Sequence, residues 1–292
     1  MKPALIVHGG CGTPPPEEES GRIAACERAA DAGWAVLDAG GPALDAAEAA
    51  LRQLEDEPLL NAGLGSYLQA DGVARMDASL MSDDGRAGAV AAVPGLHHPI
   101  RLARYLLEQD AHVLLCGDEA RALALRLGHD PLVAAVPQKI AYWRDHLDEA
   151  CRSLDYAAMA QAWKAENPRR LGTVGCVALD REGRLAAGTS TGGTGQYYPG
   201  RVGDTPVIGA GTYCTPRVGV SMTGVGERIL VLLSAKRLCD LVADGAPLDA
   251  AARRVMAELD AVNGAAGLIA LTAEGDFAQP RNTPFMATAH RS

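Results

Sequence analysis

Apolar positions along this chain alternate between short strand-like runs and helical stripes. Ala4 to Val7 is a short buried strand that ends at His8-Gly9-Gly10. Pro14, Pro15 and Pro16 then break the chain, and Ser20 opens a helix over about 22–37, stopped by Gly40-Gly41. A second helix runs over about 42–54, with Pro42 in its first turn. After a loop at 55–66, residues 67–93 read as β structure, with a turn at Ala70-Asp71-Gly72. Helices are expected at 99–109, 117–128 and 147–164. Asn167-Pro168-Arg169-Arg170 is polar and helix-breaking, so it reads as a mobile linker within about 163–172.

The apolar alternation then resumes with most force. Val174, Val177 and Leu179 form a strand, Asp180-Arg181-Glu182-Gly183 turns it, and residues 184–189 return. A strand at 218–222, helices at 227–243 and 247–260, and a hairpin around Glu274-Gly275 complete the pattern. An acidic residue followed by Gly recurs at 71–72, 182–183 and 274–275, always between apolar stretches, which is hairpin-turn chemistry rather than a domain repeat. Hairpins flanked by paired amphipathic helices give an α+β class.

Composition narrows this picture only modestly. The 292 residues carry 48% apolar side chains, enough for a large core in one or two domains. Aromatics are scarce at 4% while glycines number 33, which favours closely packed backbone and tight turns. A net charge of −9 without clustered Lys or Arg argues against nucleic acid. The seven cysteines are scattered and form no Cys-x-x-Cys pair, so reduced thiols in a cytoplasm are expected. No apolar run approaches a membrane span, and residues 1–7 are too short for a signal peptide.

The candidate chemistry collects around the hairpin that starts at Gly172-Thr173-Val174-Gly175. That hairpin brings the hydroxyls of Thr173 and Thr191 towards the same end. Downstream lie Gly200-Arg201-Val202-Gly203-Asp204 and Met222-Thr223-Gly224-Val225-Gly226-Glu227. A threonine hydroxyl is a poor nucleophile without a base. Were Thr173 a chain terminus, its own α-amine, with a pKa of about 7.7–8.0, could take the proton. The bland reading makes Thr173 a β-branched strand residue, Thr191 a turn hydroxyl and Arg201–Asp204 a surface pair. Cys11 shows no reason for a depressed pKa, and His97, His98 and His112 lack ligand spacing with Cys or carboxylates.

Six ordered blocks favour the functional reading. His8-Gly9-Gly10-Cys11-Gly12, Asn61-Ala62-Gly63-Leu64-Gly65-Ser66, Met76-Asp77-Ala78 and the Thr173, Thr191–Arg201 and Thr223 segments together resemble the plant-type asparaginase/isoaspartyl peptidase family of N-terminal nucleophile hydrolases. The resemblance implies a single domain built as a four-layer αββα sandwich, with two stacked, mainly antiparallel sheets. It implies a precursor that cuts itself between Gly172 and Thr173, giving an α chain of 1–172 and a β chain of 173–292. Gly172, lacking Cβ, suits the strained backbone that attack needs.

By the same resemblance, Thr173 is the nucleophile, Thr191 tunes it, and Thr223 with Gly224 supplies the oxyanion hole. Arg201 binds the substrate α-carboxylate and Asp204 its α-ammonium, with Gly224 and Gly226 allowing close approach. Asn61, Gly9 and Gly10 support self-cleavage. Backbone carbonyls of Leu54, Glu55, Glu57, Leu60, Ala62 and Leu64 form a sodium loop, with no other cofactor required. The implied reaction hydrolyses L-asparagine, β-aspartyl dipeptides or both, in a homodimer of αβ units without nucleic-acid or membrane partners. The rivals are a glycosylasparaginase-like amidase and an unprocessed binding protein of the same fold. Thr194-Gly195-Gln196-Tyr197-Tyr198 and Pro284-Phe285 depart from the family's commoner sequence, which leaves the substrate ranking open.

Overall fold

A computed structural model describes residues 1–132, 135–165 and 172–292. The expected linker at Asn167-Pro168-Arg169-Arg170 lies outside the described residues. The chain opens with β1 (Ala4–Gly12), α1 (Pro16–Asp38) and α2 (Ala43–Glu55). Next come β2 (Arg75–Ser82), β3 (Ala87–Pro94), α3 (Pro99–Gln109), β4 (Leu114–Cys116) and α4 (Gly117–Arg126). Helices α5 (Pro137–Asp145), α6 (Glu149–Ser153) and α7 (Tyr156–Ala165) lead towards the junction.

Beyond it lie β5 (Val174–Leu179), β6 (Leu185–Thr191), β7 (Thr212–Cys214) and β8 (Val218–Gly224). The chain ends with α8 (Gly226–Leu232), α9 (Ser234–Ala243), α10 (Leu248–Asp260), β9 (Ala266–Thr272), β10 (Phe277–Ala278) and β11 (Phe285–Arg291).

The strands form two sheets. One has seven strands in the order β11-β1-β5-β6-β2-β3-β4, and the other has four in the order β10-β9-β8-β7. All pairings are antiparallel except β3 with β4, so the larger sheet is mixed. Three apolar clusters define the layers. Leu5, Leu51, Leu54, Leu80 and Val90 join the larger sheet to α1, α2 and α3. Ile6, Val177, Leu179 and Leu185 meet Ile269 and Leu271 between the sheets. Val220, Met222 and Leu268 pack on Leu238, Val255 and Leu259 of α9 and α10. The result is the expected four-layer αββα sandwich.

Several boundaries differ from expectation, each for a local reason. Helix α1 starts at Pro16, because proline suits the first helical position and Glu17, Glu18 and Glu19 favour the positive helix end. Strand β2 starts only at Arg75. The preceding segment pairs with a loop instead, Ala70 N donating to Tyr197 O at 3.0 Å and Gln196 N to Leu68 O at 2.8 Å. The turn at Ala70-Asp71-Gly72 therefore joins no two strands, whereas those before Gly183 and Gly275 do. The helices expected at 147–164 and 227–243 are each broken, at Leu154 and Leu233, which are left-handed at φ 53° and 48°.

Candidate active site

Antiparallel register fixes the relation between the two central threonines. Val174 faces Ser190, so Thr173, one residue before β5, lies level with Thr191 at the end of β6. The Thr173 hydroxyl, with one proton to donate, lies 2.8 Å from Gly172 O and 3.2 Å from Thr191 Oγ1. Thr191 Oγ1 in turn donates to Gly172 O at 3.2 Å and accepts from Gly193 N at 3.1 Å. Asn61 Nδ2 reaches the same Gly172 oxygen at 2.8 Å and also donates to Gly193 O. Its Oδ1 accepts from Tyr67 N at 3.0 Å, so three of the four hydrogen-bonding directions of this buried amide are fixed. The Gly172 carbonyl thus receives an amide and two hydroxyls, while the Thr173 oxygen lies beside the bond that self-cleavage would break.

The His8-Gly9-Gly10-Cys11 strand end closes this corner. Gly10 has φ +92°, and a Cβ there would lie 2.9 Å from Gly172 Cα and 3.0 Å from Thr173 N. Only glycine combines that backbone with that approach. Gly9 packs against Cys26 and Leu60. Cys11 N points to Thr223 Oγ1 at 3.4 Å, and the thiol to Thr223 O at 3.5 Å. Strand β1 therefore bridges the Thr173 corner and the Thr223-Gly224 end of β8. Burial pushes the Cys11 thiol up to about 11, which suits packing rather than nucleophilic attack.

Arg201 and Asp204 are not the surface pair of the bland reading. Arg201 Nε bonds Glu227 Oε1 at 2.8 Å, and its guanidinium stacks over Tyr197 at 4.9 Å. Asp204 is buried, and its Oδ2 has no hydrogen-bond partner. Burial pushes the Asp204 carboxyl up to about 7, against the pull of Arg201. Both groups converge on Gly226, where an added Cβ would stand 2.7 Å from Arg201 Nη2 and 2.7 Å from Asp204 Oδ1. The site therefore presents a forked cation and a carboxylate oxygen with unused accepting capacity. Asp77, opposite Thr191 in register, lies close enough for Arg201 to lower its pKa, but burial outweighs this and raises it to about 6.

Backbone carbonyl oxygens crowd two glycines of the 55–66 loop. Carbonyl oxygens of Leu60, Glu57 and Pro58 lie 2.0, 2.7 and 2.8 Å from the point where a Gly65 Cβ would sit, and Glu55 O lies 2.4 Å from that of Gly63. Leu60 O and Glu57 O, two of the expected set, thus flank Gly65, and Glu55 O, a third, flanks Gly63. The side chains have other work. Glu55 accepts from Ser190 Oγ at 2.6 Å and Ile100 N at 3.2 Å, while Glu57 pairs with Arg28 at 2.6 Å.

Sequence reading missed a buried polar chain between the sheets. His8 Nε2 meets Ser221 Oγ at 3.0 Å, Ser221 meets Thr189 Oγ1 at 2.7 Å, and Thr189 bonds Thr212. Ser79 Oγ joins Thr212 Oγ1 at 2.8 Å and Thr205 O at 2.6 Å, one residue from Asp204. A Cβ on Gly175 would fall 2.0 Å from Ser221 Oγ and 2.2 Å from His8 Nε2, so this glycine lets the chain cross. Its only sequence signal is hydroxyls at inward-facing strand positions, which β propensity already explains for threonine.

Comparison with known proteins agrees across the whole length. The sequence profile of a family described as asparaginase matches residues 1–292. An isoaspartyl peptidase of Salmonella typhimurium is 37% identical over 99% of this chain and 95% of its own. A plant-type L-asparaginase of Pyrococcus horikoshii is 39% identical over 98% and 95% respectively. An isoaspartyl peptidase/L-asparaginase of Bos taurus is 38% identical over 95% and 89%.

Proposed function

The chain belongs to the asparaginase family and is a hydrolase of amide bonds, and we propose that it is a self-cleaving threonine amidohydrolase acting on β-aspartyl dipeptides and L-asparagine. The observation that carries this is the Gly172 carbonyl, held by Asn61 Nδ2 at 2.8 Å with the Thr173 hydroxyl at 2.8 Å. In self-cleavage Thr173 Oγ1 bonds to the Gly172 carbonyl carbon. The C–N bond breaks, the hydroxyl proton ends on the Thr173 nitrogen, and water hydrolyses the resulting ester. Asn61 and Thr191 stabilise the oxygen on which charge develops.

The freed amine then serves Thr173 as its base. Arg201 takes the substrate α-carboxylate and Asp204 Oδ2 the α-ammonium, which places the β-amide carbonyl at Thr173. Thr223 Oγ1 and Gly224 N hold the oxyanion of the substrate step. The leaving group decides between substrates. Ammonia needs no room, whereas a dipeptide releases an amino acid. A cavity of about 630 Å³ begins one residue beyond Gly193, lined by Tyr67, Tyr142, Trp163, Gln196 and Tyr197. We assign it to the amino acid that a β-aspartyl dipeptide releases, because Thr194 on its lining follows the Thr191–Gly193 segment in sequence.

A sodium ion on the carbonyls of Leu54, Glu55, Glu57, Leu60, Ala62 and Leu64 would supply charge that fixes the loop carrying Asn61. Among the described residues no helix is long and apolar enough to cross a membrane. We place the enzyme in the cytoplasm as a homodimer of αβ units, with α8 offering the exposed Val231 as an apolar contact.

The test is intact-mass analysis during prolonged incubation, followed by hydrolysis of β-aspartyl-leucine, L-asparagine and glycosyl-asparagine. Expected are two fragments meeting between Gly172 and Thr173, an uncut Thr173→Ala variant, and turnover of the first two substrates. An uncut unmutated chain with no turnover would overturn the reading, as would preference for glycosyl-asparagine.

A further inference from the structure

We propose that Asp56, His97 and His98 form a binding site for a borderline divalent transition-metal ion such as Zn²⁺, separate from the threonine centre. Neighbouring histidines in sequence gave no ligand spacing, because their carboxylate partner lies in a different loop. Asp56 caps the C-terminus of α2, and His97-His98 lead into the N-terminus of α3. The fold brings these two ends together.

Geometry favours an ion over a simple charge pair. The two imidazoles stack with centroids 4.1 Å apart and planes at 15°, so both present Nε2 to one carboxylate oxygen. His97 Nε2 lies 2.9 Å and His98 Nε2 3.5 Å from Asp56 Oδ1, and one ligand atom from each residue falls within 4.8 Å of the others. Two ligands about 2.1 Å from a tetrahedral ion stand roughly 3.4 Å apart, so the His98–Asp56 separation already matches and the His97–Asp56 contact must open by about 0.5 Å. His97 Nε2 is buried and makes no hydrogen bond despite its nearness to Asp56. Such an orphan is what an ion would satisfy.

The surroundings match a metal-binding histidine as well. His98 Nδ1 faces Glu55 Oε2 at 3.3 Å, and Glu55 is itself held by Ser190 Oγ and Ile100 N. In the tautomer that a metal-bound His98 takes, Nδ1–H is donated to Glu55 and the Nε2 lone pair is left for the ion. His97 N donates to Asp130 O at 3.1 Å, fixing the backbone that carries both rings. Asp56 and His97 remain partly exposed, which gives an entry path and leaves a coordination position for water. Imidazole with carboxylate suits Zn²⁺, Co²⁺ or Ni²⁺ rather than Mg²⁺ or Ca²⁺.

The experiment titrates Zn²⁺ into the full-length Cys116→Ser protein, which removes the exposed thiol as a competing ligand. Bound metal is read by indicator competition and, with Co²⁺, by the visible absorption of a four-coordinate ion. One equivalent should bind, and Asp56→Ala or His97→Ala should each weaken it by at least about 10-fold and abolish the Co²⁺ band. Both residues are partly exposed, so the variants should keep the parent's far-UV spectrum. Absence of a bound equivalent, or an equivalent that survives both substitutions, would overturn the site.

Discussion

Asn61→Ala should slow self-cleavage far more than it disturbs the rest of the enzyme. Asn61 Nδ2 stands 2.8 Å from Gly172 O, the oxygen that gains charge when Thr173 attacks. Removing one donor of this kind costs about 10²–10³ in rate, equivalent to about 2.7–4 kcal/mol. Thr191 Oγ1, at 3.2 Å from the same oxygen, remains, so the cut should be slowed rather than abolished. The substitution also strips Gly193 O and Tyr67 N of partners in a buried site, at about 1–3 kcal/mol for each group left dry.

Stability loss could mimic slow processing, so Asn61→Asp is the companion. It keeps the acceptor for Tyr67 N and the side-chain volume while losing the amide donor. The assay follows the intact mass of freshly made precursor against time, with a thermal melt of each variant. Both variants should accumulate the fragments about 10²–10³ times more slowly, with Asn61→Asp melting nearer the parent. If either cuts at the parent's rate while folded, Gly172 O is not stabilised from Asn61 and the self-cleavage chemistry must be rebuilt.

Three further outcomes follow from the same geometry. Gly226→Ala places a methyl 2.7 Å from Arg201 Nη2 and from Asp204 Oδ1. It should lower kcat/KM for β-aspartyl-leucine by about 10²-fold while leaving the rate of fragment formation unchanged; equal loss of both would place Gly226 elsewhere in the scheme. For pH, Asp204 titrates at about 7 and must be ionised to accept the substrate ammonium. The Thr173 amine, at about 7.7–8.0 unperturbed, must also be deprotonated. Activity therefore rises with pH through this window, and log kcat/KM should fall below it with a slope approaching two; a slope of one would show that only the amine titrates.

For stability, burial lowers the His8 ring to about 3 from 6.5. A lowered histidine keeps its full contribution above pH 6.5 and loses it as pH falls towards 3, by about 1.4 kcal/mol per unit. Asp77 and Asp204, raised to about 6 and about 7, act in the opposite sense. The difference in urea stability between uncut Thr173→Ala and Thr173→Ala with His8→Asn isolates His8. That difference should shrink on going from pH 7 to pH 5, and a constant difference would contradict the buried neutral ring.

How much of this the chain displayed beforehand depends on the kind of interaction. Strand and helix periodicity gave the α+β class, since Val174–Leu179 is a strand run and α1 and α2 carry apolar stripes, while the four layers came from the family resemblance. The ends of elements were harder. Proline at the start of α1 reads as a breaker from one side and as a first helical residue from the other, and sequence alone does not say which. Leu154 and Leu233 break helices from left-handed positions that leucine rarely occupies, so tertiary packing imposes them. Site residues such as Arg201 and Asp204 were named through the family resemblance, since their spacing alone reads equally as a surface pair. They were illegible where the partner lies on another element. Glu55 reaches Ser190, Ile100 and His98, and His8 reaches Ser221, through contacts that no local spacing encodes. A similar distance separates Asp56 from the two histidines. The chemistry of Thr173 could be proposed from its own segment, whereas its electrostatic setting depends on Asn61, which lies on a loop before β2.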